Sequence, residues 1–172
     1  MGTIIEGKRL KTVSVTKKLI AAAAYTAGDV LSEATASSTP WTFAEMAKVN
    51  GGTGLILKAQ ALSQTTAITP RLSLQLYKST PTCVLEDNVS SDAVVHADEA
   101  IYLSKIDFPA MQTIGVGGDS ETVATPNTVG NLPLAFECAS AADDLIGVLV
   151  TRDDFTQTAS TDMIIKLTTE QF

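Results

Sequence analysis

The sequence predicts an all-β protein, an antiparallel β-sandwich of jelly-roll-like topology with one short helix. Apolar and polar residues alternate with a period of two in several short segments, which is the pattern of half-buried strands. Helical periodicity is confined to one stretch, which is too little for the crossover helices of a parallel sheet. The connecting segments are rich in Thr, Ser and Gly, as they are in sandwiches and jelly rolls.

Extended structure is predicted in seven segments along the chain. These are residues 9–16, 28–33, 54–62, 71–77, 131–138, 144–152 and 162–169. The clearest alternation is in "RLSLQLY", where three leucines face one way and Ser73, Gln75 and Tyr77 face the other. This segment is therefore predicted to be half-buried, with the second set of side chains on its outer face.

The later segments differ in how they are expected to sit in a sheet. Residues 144–152 and 162–169 are apolar on both faces for part of their length, which predicts central strands. Pro133 marks residues 131–138 as an edge strand, because proline cannot donate a hydrogen bond to a neighbouring strand.

One short helix and one long loop complete the predicted architecture. The helix is placed within residues 96–106, where apolar residues recur at i, i+4 spacing. Residues 107–130 contain many turn-forming residues and weak periodicity, so they are expected to form a loop that crosses the sheet edges, with room for one strand at 111–116.

The stretch "VNGGTGLILKAQAL", residues 49–62, is interpreted as a sharp turn that enters a strand. A phosphate-binding loop would place its glycines at the start of a helix and follow them with Lys and Ser or Thr. Here Leu55, Ile56 and Leu57 follow, so the glycines are expected to supply turn geometry.

Composition limits the classes of function. A chain of 172 residues that is 45% hydrophobic is expected to form one soluble domain with a buried core. No apolar run approaches the roughly 20 residues that span a bilayer, so no membrane partner is expected. The net charge of −7 argues against nucleic acid as a partner. Cys83 and Cys138 are expected to be reduced, structural thiols.

The charge is unevenly distributed, which predicts a basic N-terminal arm over residues 1–18 and a sandwich domain over residues 19–172. The arm holds five basic residues and one acidic residue, a local charge of +4, so the other 154 residues carry −11. The basic residues are Lys8, Arg9, Lys11, Lys17 and Lys18. Two interpretations remain open, a solvated terminus or an arm that docks on an acidic protein surface.

The candidate chemistry is sparse, and no catalytic residue, metal or cofactor is expected. The stretch "GGDSE" around Ser120 resembles the nucleophile segment of chymotrypsin-like proteases, but His96 is the one histidine and lies in the predicted helix. A turn is the favoured interpretation. Trp41, with Phe43 nearby, could stack on a sugar or fill the end of the sandwich, and the second role is favoured.

Two pairs of acidic residues are candidates for a glycosidase pair or a calcium site. Asp143 and Asp144 precede one predicted strand, and Asp153 and Asp154 follow it. The strand separates the pairs by roughly 30 Å, whereas a glycosidase needs about 5 to 10 Å. A calcium site at one pair and solvated loop acids both remain open, with solvated acids favoured.

Five stretches, taken in order, resemble a family of head-decoration proteins of tailed bacteriophages, also called auxiliary capsid or cement proteins. The stretches are "AYTAGDVLS" (24–32), "AKVNGGTGLILKAQAL" (47–62), "LSLQLYKSTPT" (72–82), "EDNVSSDAVVHADEAIYLSKIDF" (86–108) and "LIGVLVTRDDFT" (145–156). The resemblance implies a non-enzymatic virion protein of β-sandwich fold, made in the host cytoplasm, that binds the major capsid protein and stabilises the capsid from its outer surface.

The resemblance also implies self-association as a homo-trimer, for which the outer face of Ser73, Gln75 and Tyr77 is the expected contact surface. The basic arm is not part of the resemblance, so its capsid-binding role is inferred from charge alone. The alternative function is a tail- or head-associated carbohydrate-binding adhesin module, which would expose aromatic residues on its loops. The aromatic content of 5% argues against it.

Overall fold

The computed structural model describes residues 7–20, 24–126, 131–157 and 159–172. Within these ranges the chain forms twelve β-strands and one turn of 3-10 helix, His96–Asp98. The strands are β1 (Arg9–Lys18), β2 (Ala24–Tyr25), β3 (Trp41–Phe43), β4 (Thr53–Ser63), β5 (Leu72–Tyr77), β6 (Tyr102–Phe108), β7 (Gln112–Thr113), β8 (Ser120–Ala124), β9 (Leu134–Glu137), β10 (Leu145–Thr151), β11 (Phe155–Thr156) and β12 (Asp162–Gln171). No helix in the described ranges is long and apolar enough to cross a membrane.

The strands form two main antiparallel sheets, which confirms the predicted fold class. The larger sheet has the order β1-β12-β4-β8-β7, and β9 also pairs with β4. The smaller sheet has the order β3-β10-β5-β6, and β2 pairs with β11 in a small ribbon. As predicted, β10 and β12 are central strands, because each has a paired neighbour on both sides.

The space between the sheets is filled by one hydrophobic core. Alternate residues of β4 and β12 point into it, while most of β10 is buried on both faces. The core includes Trp41, Ile56, Ala59, Leu74, Leu76, Leu149, Ile165 and Leu167. The favoured role of Trp41 as a core residue is confirmed, since its indole is buried and donates a 2.9 Å hydrogen bond to the carbonyl oxygen of Leu31.

A second apolar cluster covers the outer face of the smaller sheet and corrects the prediction for β5. Tyr77, Val148 and Val150 on that face are buried beneath the segment 78–101, which contributes Cys83 and several partly buried aliphatic side chains. The strand is therefore buried on both faces. Alternation identified the polar face of β5, but it could not show that a distant segment folds over it.

Two further predictions about the middle of the chain are corrected. The helix expected within 96–106 is limited to His96–Asp98, because the following residues form β6 and pair with β5. The loop expected over 107–130 contains the short strand β7 and also β8, which sequence inspection missed. Ser120–Ala124 alternates between buried and half-buried residues, but two of its three buried residues, Ser120 and Thr122, are polar, so the sequence shows no apolar alternation.

The glycine-rich turn before β4 is confirmed. Gly51 has a φ of +69°, a conformation that glycine adopts without strain. A Cβ atom on Gly52 would lie 2.7 Å from the carbonyl oxygen of Val49, so the turn has no room for a side chain there.

The predicted boundary between an arm and a sandwich at residue 18 is also corrected. Strand β1 pairs with β12 along its whole length, from Arg9 opposite Gln171 to Lys18 opposite Asp162. Ten residues of the expected arm therefore belong to the larger sheet, because their alternating valines pack against its core. The expectation for residues 1–6 lies outside the described residues.

Candidate interaction surface along strand β1

Strand β1 is an edge strand whose alternate residues face away from its neighbour. In an antiparallel pair, every second residue exchanges backbone hydrogen bonds with its partner and the residues between point outward. The residue pair directly after β1 shows which residues bond to β12, because the Leu19 N–H donates to the Thr161 carbonyl oxygen at 3.1 Å. The odd-numbered residues of β1 therefore face β12, while the even-numbered ones face the open edge.

The outward-facing backbone groups have no partner among the described residues. The residues concerned are Leu10, Thr12, Ser14, Thr16 and Lys18. No hydrogen bond from the backbone or side chains of the described ranges reaches their N–H or C=O groups. The edge thus offers five donors and five acceptors in register over one continuous strand.

Three of the five predicted capsid-binding residues, Lys8, Arg9 and Lys18, lie at this edge with exposed side chains. Arg9 and Lys18 form no ion pair within the described residues. Lys8 lies 3.0 Å from a carboxylate oxygen of Glu170, and an exposed pair of this kind contributes little stability. Lys11 is less accessible, because its side chain is 19% exposed and forms an ion pair with Glu45.

Lys17 is different, and its assignment to docking is corrected. Its side chain is 7% exposed and forms an ion pair with Glu33. The ammonium also donates to the carbonyl and hydroxyl oxygens of Thr39, at 2.7 and 2.9 Å, and lies 5.8 Å from the centre of the Trp41 ring. Lys17 therefore fastens β1 to the segment that precedes β3.

The same contacts determine the acidity of Glu33. Partial burial acts to raise the pKa of its carboxyl group, but hydrogen bonds from Lys17, Thr39 and Ser32 outweigh burial and lower the pKa to about 2. The Glu33 carboxyl group is consequently ionised across the physiological range.

Two shallow grooves flank β1 on the side that faces β3, the edge strand of the smaller sheet. One groove has a volume of about 410 Å³ and lies beside the last four residues of β1. It is lined by Val15, Thr16, Lys17, Lys18, Glu33, Thr39, Pro40 and Thr42. The other has a volume of about 280 Å³ and lies beside the start of β1, where Arg9, Lys11 and Lys48 contribute positive charge and Glu45 and Asp143 negative charge.

The predicted self-association residues do not form an accessible surface. Ser73 is buried and shares a 3.1 Å hydrogen bond with Asp107, whereas Gln75 is half-buried. Tyr77 is fully buried and packs against Tyr102 with ring centres 5.4 Å apart. The prediction of a contact surface here is corrected, because the segment 78–101 already covers this face.

The candidate catalytic side chains Ser120 and His96 interact with neighbouring groups of the protein. Ser120 begins β8 and is buried, and its hydroxyl donates to the Thr65 carbonyl oxygen at 2.9 Å and accepts from the Ile68 N–H at 3.3 Å. His96 is exposed, with its Nδ1 3.1 Å from Glu99. Burial raises the pKa of the free thiols of Cys83 and Cys138 to about 11, so both remain protonated near neutral pH.

The acidic pairs lie at the two ends of β10, as predicted. At one end, Asp153 forms a two-pronged contact with Arg71 at 2.6 and 2.9 Å, and Asp154 accepts a hydrogen bond from the Ala27 N–H at 2.7 Å. At the other end, Asp144 accepts from the Glu45 N–H at 3.3 Å. Among the described residues, no cluster of three or more His, Cys, Asp or Glu side chains could hold a metal ion.

Two buried carboxylates were missed by sequence inspection. Asp87 accepts hydrogen bonds from Tyr25 and Ser32, while Asp98 accepts from the N–H groups of Thr82 and Cys83. Both aspartates are essentially inaccessible. Asp87 fastens the covering segment to Tyr25 and Ser32 outside it, whereas Asp98 joins two parts of the covering segment itself. Aliphatic residues near both aspartates, in otherwise polar and turn-rich stretches, were the sequence feature that could have indicated burial.

Comparisons with known proteins add only a distant structural likeness. No family model matches the chain, and no curated protein matches it. Among solved structures, the chain is similar to a chain in the X-ray structure of tomato aspermy virus, with a TM-score of 0.34 and 8% sequence identity. The similarity covers 100% of this chain and 82% of the other. A likeness at this level carries no argument about function, so the proposal below depends on the residues of this chain.

Proposed function

We propose that this chain is a non-enzymatic structural protein of a virion, which binds the major capsid protein on the outer surface of the shell and stabilises it. The resemblance to head-decoration proteins supports the proposal, because the resembling stretches include the strands that build the sandwich. Strands β5, β6 and β10 lie within them, and so does β4 except for its last residue, Ser63.

The observation that carries the proposal is the concentration of accessible basic side chains on one edge of an otherwise acidic protein. Lys8, Arg9 and Lys18 are exposed along β1 or directly before it, whereas residues 19–172 carry a charge of −11. An acidic patch on a capsid would attract this edge and repel the rest of the molecule. The charge distribution would therefore orient the protein as it docks.

The trimer implied by the resemblance is part of the proposal. Three copies would present three basic edges to the shell at once, and multivalent contact increases avidity without stronger individual contacts. The surface between the copies must lie elsewhere than the outer face of β5, which is covered.

The adhesin alternative gains no support from the position of the aromatic side chains. Trp41, Phe43, Phe108 and Phe136 are buried in the core, where they cannot stack on a sugar. Phe172 is the one aromatic side chain among the described residues that is both large and clearly exposed. A single exposed ring is a poor platform for sugar binding.

The test is binding of the purified protein to particles that lack it, prepared from the virus that encodes the chain. The double variant Arg9→Ala/Lys18→Ala should bind less fully than the wild type in low salt. Binding of the wild type should also weaken as salt shortens the screening length from about 10 Å at 0.1 M to about 3 Å at 1 M. Lys58→Ala is the matched control, because Lys58 is exposed on the same sheet, away from β1. Failure of the wild type to bind the particles would overturn the proposal.

A further inference from the structure

We propose that β1 is a strand-addition site, at which an extended acidic segment of the capsid protein pairs with the open edge of the larger sheet. This inference rests on the proposed function and specifies how the partner is recognised. It assigns the recognition to the backbone of β1 as well as to its basic side chains.

The backbone of β1 is ready for such pairing. Five residues, at every second position from Leu10 to Lys18, face outward. Their N–H and C=O groups have no partner in the described ranges. An extended chain laid along this edge would form a ladder of hydrogen bonds without displacing any bond to β12. Strand addition of this kind obtains affinity from the main chain and specificity from side chains.

The edge is also long, and charge is the protective device that it carries. Soluble proteins shield exposed edges with short strands, charged side chains such as lysine, prolines or bulges. The cations of β1 would oppose pairing with another basic strand but not with an acidic one. Strand β1 has ten residues, contains no proline and pairs with β12 without a change of register. The edge strands at the other ends of the two sheet paths are weaker candidates. Strand β7 has two residues and β3 has three, while the Lys105 carbonyl oxygen in β6 accepts a hydrogen bond from Asn131.

The charges at the two ends of β1 select against a second copy as the added strand. Two copies paired antiparallel about Ser14 would match outward-facing residues with each other. That register places Lys18 of each copy opposite Leu10 of the other and next to its Arg9, so a second copy would gather exposed cations at both ends without supplying an opposite charge. An acidic segment would instead meet Arg9 at one end and Lys18 at the other, neither of which forms an ion pair within the described residues. Between them lies the uncharged "TVSVT".

The grooves beside β1 offer space for the side chains of the added strand. Successive side chains of a strand point to opposite faces, so one set would point toward the smaller sheet. That set would meet the groove of about 410 Å³ near the end of β1 and the groove of about 280 Å³ near its start. Each groove has one more basic than acidic residue. Lys18 in one and Arg9 in the other form no ion pair within the described residues, so an acidic side chain would meet an unpaired cation in each.

Backbone groups of β1 point alternately to β12 and to the open edge. Substitutions can therefore block pairing at the open edge without removing a hydrogen bond of the fold. Ser14→Pro removes an N–H that points to the open edge and leaves the ladder to β12 intact. Ser14→Ala keeps the N–H and is the matched control. Val13→Pro removes an N–H that faces β12, so it should lower the thermal unfolding midpoint where Ser14→Pro does not. Thr16→Pro is a second variant of the outward-facing kind, because the Thr16 side chain forms no hydrogen bond with β12 in the described ranges.

The measurement is binding to particles that lack the protein, together with circular dichroism and thermal unfolding of each variant. We expect Ser14→Pro to remain folded and to bind about tenfold more weakly or worse, while Ser14→Ala binds like the wild type. Arg9→Glu/Lys18→Glu should also weaken binding, and Lys58→Glu should not.

Each other outcome overturns a defined part of the inference. If the wild type binds particles and both outward-facing proline variants bind equally well, the edge is not the site, although the proposed function stands. If the wild type does not bind, both proposals fail. If the proline variants unfold, the substituted residues bond to β12, and the assignment of their N–H groups to the open edge is wrong. If Ser14→Pro instead reduces the oligomeric mass by light scattering, the occupant is a second copy.

Discussion

The buried carboxylate of Asp87 accepts a 2.8 Å hydrogen bond from the hydroxyl of the equally buried Tyr25. A second carboxylate oxygen accepts from the Ser32 N–H at 2.7 Å. No Lys, Arg or His of the described residues forms an ion pair with Asp87. Burial therefore raises the pKa of Asp87 above its ordinary 3.8, despite these hydrogen bonds, and it also raises the pKa of Tyr25.

Asp87→Asn is expected to change the pH dependence of stability in a defined direction. Because the folded-state pKa of Asp87 is raised, the stability linked to its protonation is present below 3.8 and is lost as the pH rises through the folded-state pKa. The asparagine side chain does not titrate in this range, so the variant does not lose this stability as the pH rises. The free energy of unfolding of the variant, relative to the wild type, should therefore increase as the pH rises from about 4 toward about 7.

Urea unfolding of both proteins across this pH range provides the measurement. Asp119→Asn, which removes an exposed carboxylate, is the matched control for the loss of one acidic charge. A difference between wild type and Asp87→Asn that does not change with pH would contradict the prediction.

Tyr25→Phe tests the other partner of the same hydrogen bond. The substitution leaves the buried Asp87 with one donor fewer, which should destabilise the protein by about 1 to 3 kcal/mol. The ring should keep its stacking on Phe155, whose centre lies 4.8 Å away. Chemical denaturation near neutral pH measures the effect. An unchanged free energy of unfolding would mean that solvent replaces the lost donor.

Gly147→Ala is expected to strain the core between the sheets. An added Cβ atom would lie 2.9 Å from the Cδ1 atom of Leu74 and 3.0 Å from the Cε2 atom of Phe43. Overpacking of this kind costs about 1 to 3 kcal/mol, which thermal unfolding would detect. Gly7→Ala is the control, because an added Cβ atom there has no neighbour within 4 Å among the described residues. Equal effects of the two substitutions would contradict the prediction.

The fold class could be predicted from sequence because each main strand carries its own signal. Residues apolar on both faces identified β10 and β12 as central strands, and alternation identified β5. The cover over β5 could not be predicted. Its contacts come from Cys83 and from short aliphatic stretches such as Val94–Val95, which show no periodicity. The hydrogen bond from the Cys83 N–H to the carboxylate of Asp98 joins residues fifteen positions apart, which no local pattern specifies.

The candidate site could be predicted only in part. Composition identified a basic N-terminal region but treated its five cations as equivalent. In a strand, neighbouring residues point to opposite faces, so the alternation that predicted β1 also divides Lys17 from Lys18. Even so, the partners of Lys17 come from residues 33 and 39, and no local pattern specifies that contact.

The contrast between Lys17 and Lys18 gives the last prediction. Lys17→Met removes the cation that pairs with Glu33 and the donor to Thr39, whereas the same change at the exposed Lys18 removes no described contact. We expect Lys17→Met to destabilise the protein by about 1 to 3 kcal/mol, discounted for the partial exposure of Glu33. Lys18→Met should stay within about 0.5 kcal/mol of the wild type.

The pH dependence of the Lys17 effect identifies its cause. The lowered pKa of Glu33 means that the stability from its ionised form is present above its ordinary 4.5 and is lost as the pH falls toward about 2. The stability difference between wild type and Lys17→Met, measured by denaturant unfolding, should therefore shrink over that interval. A difference that stays constant would assign the effect to packing of the Lys17 side chain against Trp41 and not to the ion pair, because a packing contact does not titrate.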